Sequence, residues 1–197
     1  GPKVLGRIEK LSATFGLYSA MRGRPQFHTF HLLRPRFQVD RDRNGRLDWA
    51  SEGLLSAAVR KVEPRDDGSQ SLEAEFDAAV GTITIEDGTV ELADQASGRM
   101  LVASGISAEI GWPKLSEALK ATALLDAGGL AVKLDFSSPQ PLLLFGGRDA
   151  TVSATLDAAA FAARFDGVAN LTDGISRSGA LALAAKDIAA IKIRYCH

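Results

Sequence analysis

Oxygen-bearing side chains recur at alternate positions in one stretch of the chain, as they do in loops that bind calcium. Asp40, Asp42 and Asn44 are followed by Gly45, which occupies the sixth position of such a loop. The twelfth position requires a bidentate carboxylate, but here it is Ser51. The alternatives are a calcium-dependent binder of carbohydrate or protein and a tight turn between two strands. The missing ligand favours the turn, and we predict no metal site.

Other residues that could do chemistry lack the partners that they would need. His28 and His31 are three positions apart, which puts them on opposite faces of a strand, where they cannot hold one metal ion. Cys196 is the single cysteine and lies beside the terminus, so no intramolecular disulfide can form. The chain contains neither a Gly-x-Ser-x-Gly nucleophile motif nor a complete phosphate loop. We therefore expect a protein that is not an enzyme, with no catalytic residues and no cofactor.

Strands are the elements that the sequence predicts most often. Side chains alternate between apolar and polar over residues 8–15, 27–33 and 36–40, and again from residue 72 to near the end. Asn44-Gly45 and Asp87-Gly88 tolerate positive φ, so each predicts a hairpin turn, and Asp166-Gly167 has the same chemistry. Pro35 lacks an N–H donor and predicts a bend or a sheet edge. The alanine-rich residues 157–165 suit helix by propensity, but their alternation favours a strand.

One helix is predicted with apolar residues at helical spacing. It spans Ser51 to Val62, with Ser51 as the cap and Pro64 as the stop. Short helical turns are also predicted around residues 112–119 and 139–145. We expect one domain over residues 3–191. Gly1-Pro2 is typical of a protease-cleavage scar, and residues 192–197 are interpreted as a truncated end or an added tail.

Composition limits the classes of partner. The 197 residues include 23 Lys and Arg against 24 Asp and Glu, so the chain lacks the basic excess that nucleic-acid binding needs. No run of about 18 apolar residues is present to span a bilayer. Aromatic residues make up only 7%, so the apolar strand faces consist mainly of small aliphatics. A mainly antiparallel, curled sheet with a groove suits that composition at least as well as a closed β-sandwich.

The order of several motifs resembles the AsmA family of bacterial envelope proteins. Leu33–Trp49 is similar to the family's run of proline, alternating strand, acidic-glycine turn, arginine and Asn-Trp, although Asp48 stands where Asn is usual. Phe15–Gly23 resembles the family's apolar turn with a basic-glycine pair. Ile83–Asp94 is similar to its Ile-x-Asp-Gly-x-Val-x-Leu-x-Asp hairpin, and Phe165–Gly167 is similar to a later element.

The resemblance implies a non-enzymatic role in lipid binding and phospholipid transport between the inner and outer membranes, and in outer-membrane homeostasis. It implies a periplasmic location, an inner-membrane anchor through an N-terminal helix upstream of residue 3, and envelope proteins as partners. AsmA proteins are related to chorein-type bridge proteins, whose folded sheets form a trough for acyl chains. The alternative is a β-sandwich-like scaffold for envelope assembly that binds no lipid.

An acyl groove needs one continuous apolar face opposite a solvated polar face. Alternating strands more often form an ordinary closed core, so the groove interpretation depends on the resemblance. The candidate groove residues, chosen as apolar residues that alternate along the predicted strands, are Ile83, Ile85, Val90, Leu92, Val102, Ile106, Val132, Leu134, Phe136, Val152 and Leu156.

Overall fold

The protein is mainly β, with a large mixed sheet that does not close into a barrel and, among the residues that the structure describes, two short helices; this confirms the predicted curled-sheet class. The computed structural model describes residues 6–15, 27–41, 53–95, 97–170 and 174–186. The elements are β1 (Gly6–Arg7), β2 (Lys10–Phe15), β3 (Phe27–Leu33), β4 (Arg36–Arg41), α1 (Gly53–Lys61), β5 (Glu63–Pro64), β6 (Gln70–Ser71), β7 (Ala79–Asp94), β8 (Arg99–Lys114), β9 (Leu119–Ala127), β10 (Ala131–Ser138), α2 (Pro141–Phe145), β11 (Ala150–Ala158), β12 (Phe161–Asn170) and β13 (Gly174–Ala185).

Eleven of the described strands form the large sheet, while β5 and β6 pair only with each other. From β7 to β13 each strand pairs antiparallel with the next one in the chain. On the other side of β7, both β3 and β4 pair with it in parallel. Strands β2 and β1 continue the sheet beyond them, antiparallel to β3 and β4 respectively. The sheet is therefore a long meander with a parallel addition at its N-terminal end.

The predicted hairpin at Asp87-Gly88 is wrong, because β7 runs straight through this pair. The pair instead forms a bulge, with φ of 56° at Asp87, opposite a bend at Arg34 with φ of 46°. The Arg34 N–H donates to the Glu86 carbonyl, and the Thr89 N–H donates to the Pro35 carbonyl. This bend allows β3 and β4 both to pair in register with the single continuous strand β7. Pro35 thus marks a bend, as predicted.

Two further turn predictions differ from the structure. β12 continues through Asp166-Gly167, and the chain reverses earlier, between β11 and β12, at Ala159 and Ala160. Residues 157–158 and 161–165 are strand, so the strand interpretation holds for this range except at the reversal itself. Residues 112–119 contain a tight strand-to-strand turn rather than a helical one. It is held by Asp77, which accepts hydrogen bonds from the N–H and hydroxyl of Ser116. The predicted Asn44-Gly45 turn and the Ser51 cap lie outside the described residues.

Both helices pack on the same face of the sheet and bury its apolar residues near one end of the strands. The α2 segment Pro141–Leu144 is fully buried, and the ring of Trp112 meets that of Phe145 edge to face at 5.8 Å. Helix α1 adds Ala58 from its packed side, followed by Val62 just after its end. The core comprises Ala58, Val62, Trp112, Leu115, Leu119, Leu142, Leu143, Leu144, Ala150, Val152 and Ala169. Within the described residues, neither helix is long and apolar enough to cross a membrane.

Buried glutamines fix α2 to the strands beneath it. The Gln70 amide donates to the Leu115 carbonyl at 2.7 Å and accepts from the Leu142 N–H at 3.0 Å. Gln140 accepts from the Thr151 N–H at 2.9 Å. The two backbone groups bonded to Gln70 belong to buried residues, and an apolar side chain of the same size could not satisfy them. Gln70 and Gln140 thus anchor α2, which together with α1 forms what we call the helical cover over one end of the apolar face.

Candidate functional site

The apolar face of the sheet carries an unbroken double row of hydrocarbon side chains. Residues paired in register share a face, so each row can be traced from strand to strand. The first row, from β3 to β13, is Phe30, Ile83, Ile110, Ala121, Phe136, Ala154, Phe165 and Leu181. The second is Leu32, Ile85, Ala108, Ala123, Leu134, Leu156, Ala163 and Leu183. At about 4.8 Å between strands, the seven spacings extend roughly 34 Å across the sheet.

A cavity of about 490 Å³ lies on this face over its C-terminal strands. We call it the apolar trough. It is lined by Phe136, Leu144, Val152, Ala154, Leu156, Ala163, Phe165, Ala169, Gly179 and Leu181. The volume is within the range of small-molecule sites, and every lining side chain is hydrocarbon. The trough can thus accept an apolar ligand with no polar group to orient it.

Burial changes steadily along the trough. At its inner end, Leu144, Val152 and Ala169 belong to the core and are 4–5% exposed. At its outer end, Leu156 is 36% and Leu181 is 63% exposed. The helical cover closes the inner end, whereas the outer end opens toward β13, the last strand of the described sheet. Apolar side chains of this size do not gain by facing water, so an open mouth is a place where a ligand can bind.

Phe165 lies low in the trough because two glycines make room for its ring. Gly167 and Gly179 are register partners on neighbouring strands. Atoms of the Phe165 ring would come within 3.0 Å of a Cβ on Gly167 and 2.8 Å of one on Gly179. The ring therefore covers the positions where their side chains would be. Without these glycines the ring would have to rise into the cavity.

Ten of the eleven predicted groove residues lie on the apolar face, but only some line the trough. Phe136, Val152 and Leu156 do so. Ile106 is 9% and Val132 is 7% exposed, so both are packed rather than open. The others on this face by register are Ile83, Ile85, Val90, Leu92 and Leu134. The predicted set thus combines trough lining with ordinary packing.

Val102 is the exception, and its predicted face is wrong. It pairs with Glu91, on the opposite face from Ile106, and is 46% exposed. The register shifts between Ser104 and Ser107, where Gly105 has φ of 58°. This bulge adds one residue to β8, and one extra residue reverses the face of every side chain beyond it.

The other face of the sheet is polar and carries compensated charges. Asp166 accepts from Arg164 Nε at 2.6 Å and from the Ser153 hydroxyl at 2.6 Å. The Arg164 hydrogen bond first, and that from Ser153 second, lower the pKa of Asp166 below its ordinary value. Lys133 and Asp135 form another ion pair at 3.3 Å. These two pairs of opposite charge lie on the solvent-exposed side of the sheet.

The calcium candidates are not brought together within the described residues. Asp40 lies inside β4, where it pairs in register with Ala93, and Asp42 and Asn44 lie outside the described part of the chain. Among the residues that the structure describes, no group of three or more His, Cys, Asp or Glu side chains could hold a metal ion. His31 instead contacts Glu86 at 3.2 Å on the polar face.

Several trough residues were missed by the sequence reasoning. Leu144 comes from α2, and nothing local in the sequence predicts that this helix folds back over β11. Phe165, Ala163 and Leu181 alternate along their strands, and this period-two pattern could have identified them. The alanines in the rows gave a weaker signal, because alanine is common in both helices and strands. No family model, curated protein or solved structure matches the chain.

Proposed function

We propose that this protein binds the acyl chains of phospholipids in the apolar trough. The observation that carries the proposal is the trough itself, whose lining is hydrocarbon throughout and whose outer end is exposed. Its lining reaches from β10 to β13, three strand spacings or about 14 Å. One leaflet of a bilayer core is about 15 Å thick, so an acyl chain is about as long as the trough.

Binding rather than a reaction is proposed, because the lining offers hydrocarbon surface and no acid, base or nucleophile. Each methylene moved from water into such a site gains about 0.8 kcal/mol, so a long chain can bind without polar contacts. We expect weak discrimination between headgroups, since the lining can hold only the tail. The double row that continues from the trough toward β3 offers further apolar surface along which a tail can move.

The resemblance to the AsmA family supports a setting for this activity. We propose that the protein takes part in phospholipid transport in a Gram-negative envelope, on the periplasmic side of the inner membrane. The direction of movement does not follow from the trough. The competing function is a scaffold for envelope assembly that holds partner proteins and binds no lipid.

The test compares two substitutions at neighbouring positions of β11. Leu156 lines the trough, and Thr155 points to the polar face, so Leu156→Asp and Thr155→Asp add the same charge on opposite sides. We expect the wild type and Thr155→Asp to retain phospholipid, measured by native mass spectrometry after purification. Leu156→Asp should fold and lose it, because a carboxylate in the trough would have to be desolvated.

Two results would overturn this proposal. Absence of lipid from the wild type, together with failure to take up an added fluorescent phospholipid, would favour the scaffold. Unfolding of Leu156→Asp, seen by circular dichroism while Thr155→Asp stays folded, would show that the trough is closed core. Transfer of a fluorescent phospholipid between donor and acceptor vesicles then tests whether binding extends to transport.

A further inference from the structure

The apolar trough is closed at its inner end and open at its mouth, so a ligand can enter it from one side only. Leu144 of α2 lines the inner end and is 4% exposed, whereas Leu181 at the mouth is 63% exposed. Between Val152 at the inner end and Leu156 at the mouth, β11 advances by about 13 Å at 3.3 Å per residue. The trough therefore has a fixed depth.

Two alanines form the floor of the trough between larger side chains. Ala154 is flanked in register by Phe136 on β10 and by Phe165 on β12. Ala163 is flanked in the same way by Leu156 on β11 and by a leucine of β13. The floor is therefore low along a path from Ala154 to Ala163, with a wall of larger side chains on each side.

The distance between the walls admits one hydrocarbon chain. Phe136 and Phe165 are two strand spacings apart, which is about 10 Å between their backbones. Carbon atoms in contact lie about 3.5–4 Å apart, so one chain between two walls needs about 8 Å, and two chains side by side need about 12 Å. A single acyl chain therefore fits on the alanine floor, and a second chain does not fit beside it.

The chemistry of the inner end decides which end of a lipid enters first. Leu144, Val152 and Ala169 are 4–5% exposed there, and none of them has a polar side chain. A headgroup at this end would lose its hydration without gaining a hydrogen bond from these side chains, whereas a terminal methyl group loses no hydrogen bonds by leaving water. The lipid must therefore enter tail first, and its headgroup remains in water outside the mouth.

Given acyl binding in the trough, which this inference takes from the proposed function, we propose that the trough holds one acyl chain at a time and measures its length. The terminal methyl group lies against Leu144. Each methylene gains contacts until the chain is as long as the trough is deep, and further methylenes stay in water outside the mouth. The ligand class is a lipid that presents one tail, which is either a single-chain lipid or one of the two tails of a phospholipid.

The experiment titrates the protein with lysophosphatidylcholines whose chains lengthen by two carbons at each step, at concentrations below micelle formation. Each methylene that enters the trough should lower Kd about fourfold, until the chain spans about 13 Å and further lengthening has little effect. Calorimetry measures each Kd and locates this plateau.

A pair of substitutions in neighbouring strands tests whether the trough sets the plateau. Ala154→Leu adds its atoms to the free space of the cavity, so it should fold and reach the plateau with a shorter chain. Ala162→Leu adds the same atoms on the polar face of β12, where it pairs with Asp157, and should bind as the wild type does. Circular dichroism checks that both variants are folded.

Two further measurements do not depend on the floor variants. Native mass spectrometry should show one lysophospholipid for each protein chain at saturation, and one molecule when a phospholipid with the same chains is used instead. Orientation is measured with Leu181→Trp, which places a fluorophore at the mouth. Beyond the quenching seen in the wild type, a bromine near the headgroup should quench this tryptophan more than a bromine at the chain end.

The outcomes separate this inference from the function on which it rests. Two lysophospholipids per chain, a Kd that falls without a plateau, an unchanged plateau in Ala154→Leu, or stronger quenching by the chain-end bromine in Leu181→Trp would overturn the inference and leave acyl binding in place. Uptake of lysophospholipid alone would support a trough for one tail and overturn phospholipid as its ligand. Failure to bind any of these lipids would overturn both.

Discussion

Gly167 and Gly179 face each other across β12 and β13 so closely that a Cβ on Gly179 would lie 2.8 Å from the Gly167 Cα. The same Cβ would meet the Asp166 carbonyl at 2.7 Å, and backbone cannot move aside as a side chain can. We expect Gly179→Ala to lower the free energy of unfolding by about 1–3 kcal/mol, the usual cost of overpacking. Hydrogen exchange should show the loss of protection concentrated in β13.

The control for this substitution is Gly111→Ala in β8. A Cβ at Gly111 meets nothing closer than the Lys120 carbonyl at 4.0 Å, so this change should leave exchange in its strand unaltered. If both variants lose the same protection, the close approach of β12 and β13 is not what requires glycine.

The helical cover should carry more of the stability than the trough mouth. Leu142 is fully buried in α2, and Leu142→Ala should cost about 2–5 kcal/mol. Leu181 is 63% exposed at the open end, and Leu181→Ala should change stability by about 0.5 kcal/mol at most. Urea unfolding followed by circular dichroism measures both. A large cost at Leu181 would mean that the mouth of the trough is packed.

The Gln70 amide joins α2 to the turn before β9. Gln70→Leu keeps the approximate volume but leaves the Leu142 N–H and the Leu115 carbonyl buried without partners. We expect a loss of about 2–4 kcal/mol, since each buried unsatisfied group costs about 1–3 kcal/mol. Gln38→Leu, at an exposed position of β4, is the control and should be nearly neutral. Similar midpoints for the two variants in urea would contradict the bridging role.

Acid should remove a stabilising contribution from the polar face. The hydrogen bonds from Arg164 and Ser153 lower the folded-state pKa of Asp166 below the value of about 3.9 in an unfolded chain. The contribution is therefore fully present above that unfolded value and is lost as the pH falls through the lower folded value. In Asp166→Asn, the thermal midpoint should fall less steeply below about pH 4 than in the wild type.

Ser153→Ala removes one of the two donors to Asp166 and should give an intermediate slope. It serves as the control for the charge change itself, because it keeps the Arg164 ion pair. The prediction is contradicted if Asp166→Asn and the wild type lose stability in parallel over this range. Because Asp166 is on the surface, the difference in thermal midpoint between the variant and the wild type should be at most a few degrees.

The sequence predicted the mainly β class, the long alternating strands and α1, because these depend on local periodicity. It mispredicted Asp87-Gly88, whose residues suit a turn and a bulge equally well. The choice between turn and bulge is decided by the bend at Arg34 between β3 and β4, which is far from Asp87 in sequence but bonded to its strand. Val102 was assigned to the wrong face for a similar reason, since alternation read along the chain ignores a bulge at Gly105.

The trough could be predicted only as an apolar face. That Leu144 closes one end of it depends on the packing of α2 against strands far away in the sequence. The openness of the other end depends on where the neighbouring elements stop, and periodicity carries no information about that.

The parallel docking of β3 and β4 on β7 has a consequence for the order of assembly. Each strand from β8 to β13 pairs with its immediate predecessor, so these contacts close short loops and can form early. The contacts of β3 and β4 with β7 join residues far apart in sequence and should form last. Pulse-labelled exchange during refolding should protect Phe30 later than Phe136. Until that step, β7 is a bare edge that can pair with another molecule, so a refolding chain is most prone to aggregate through β7.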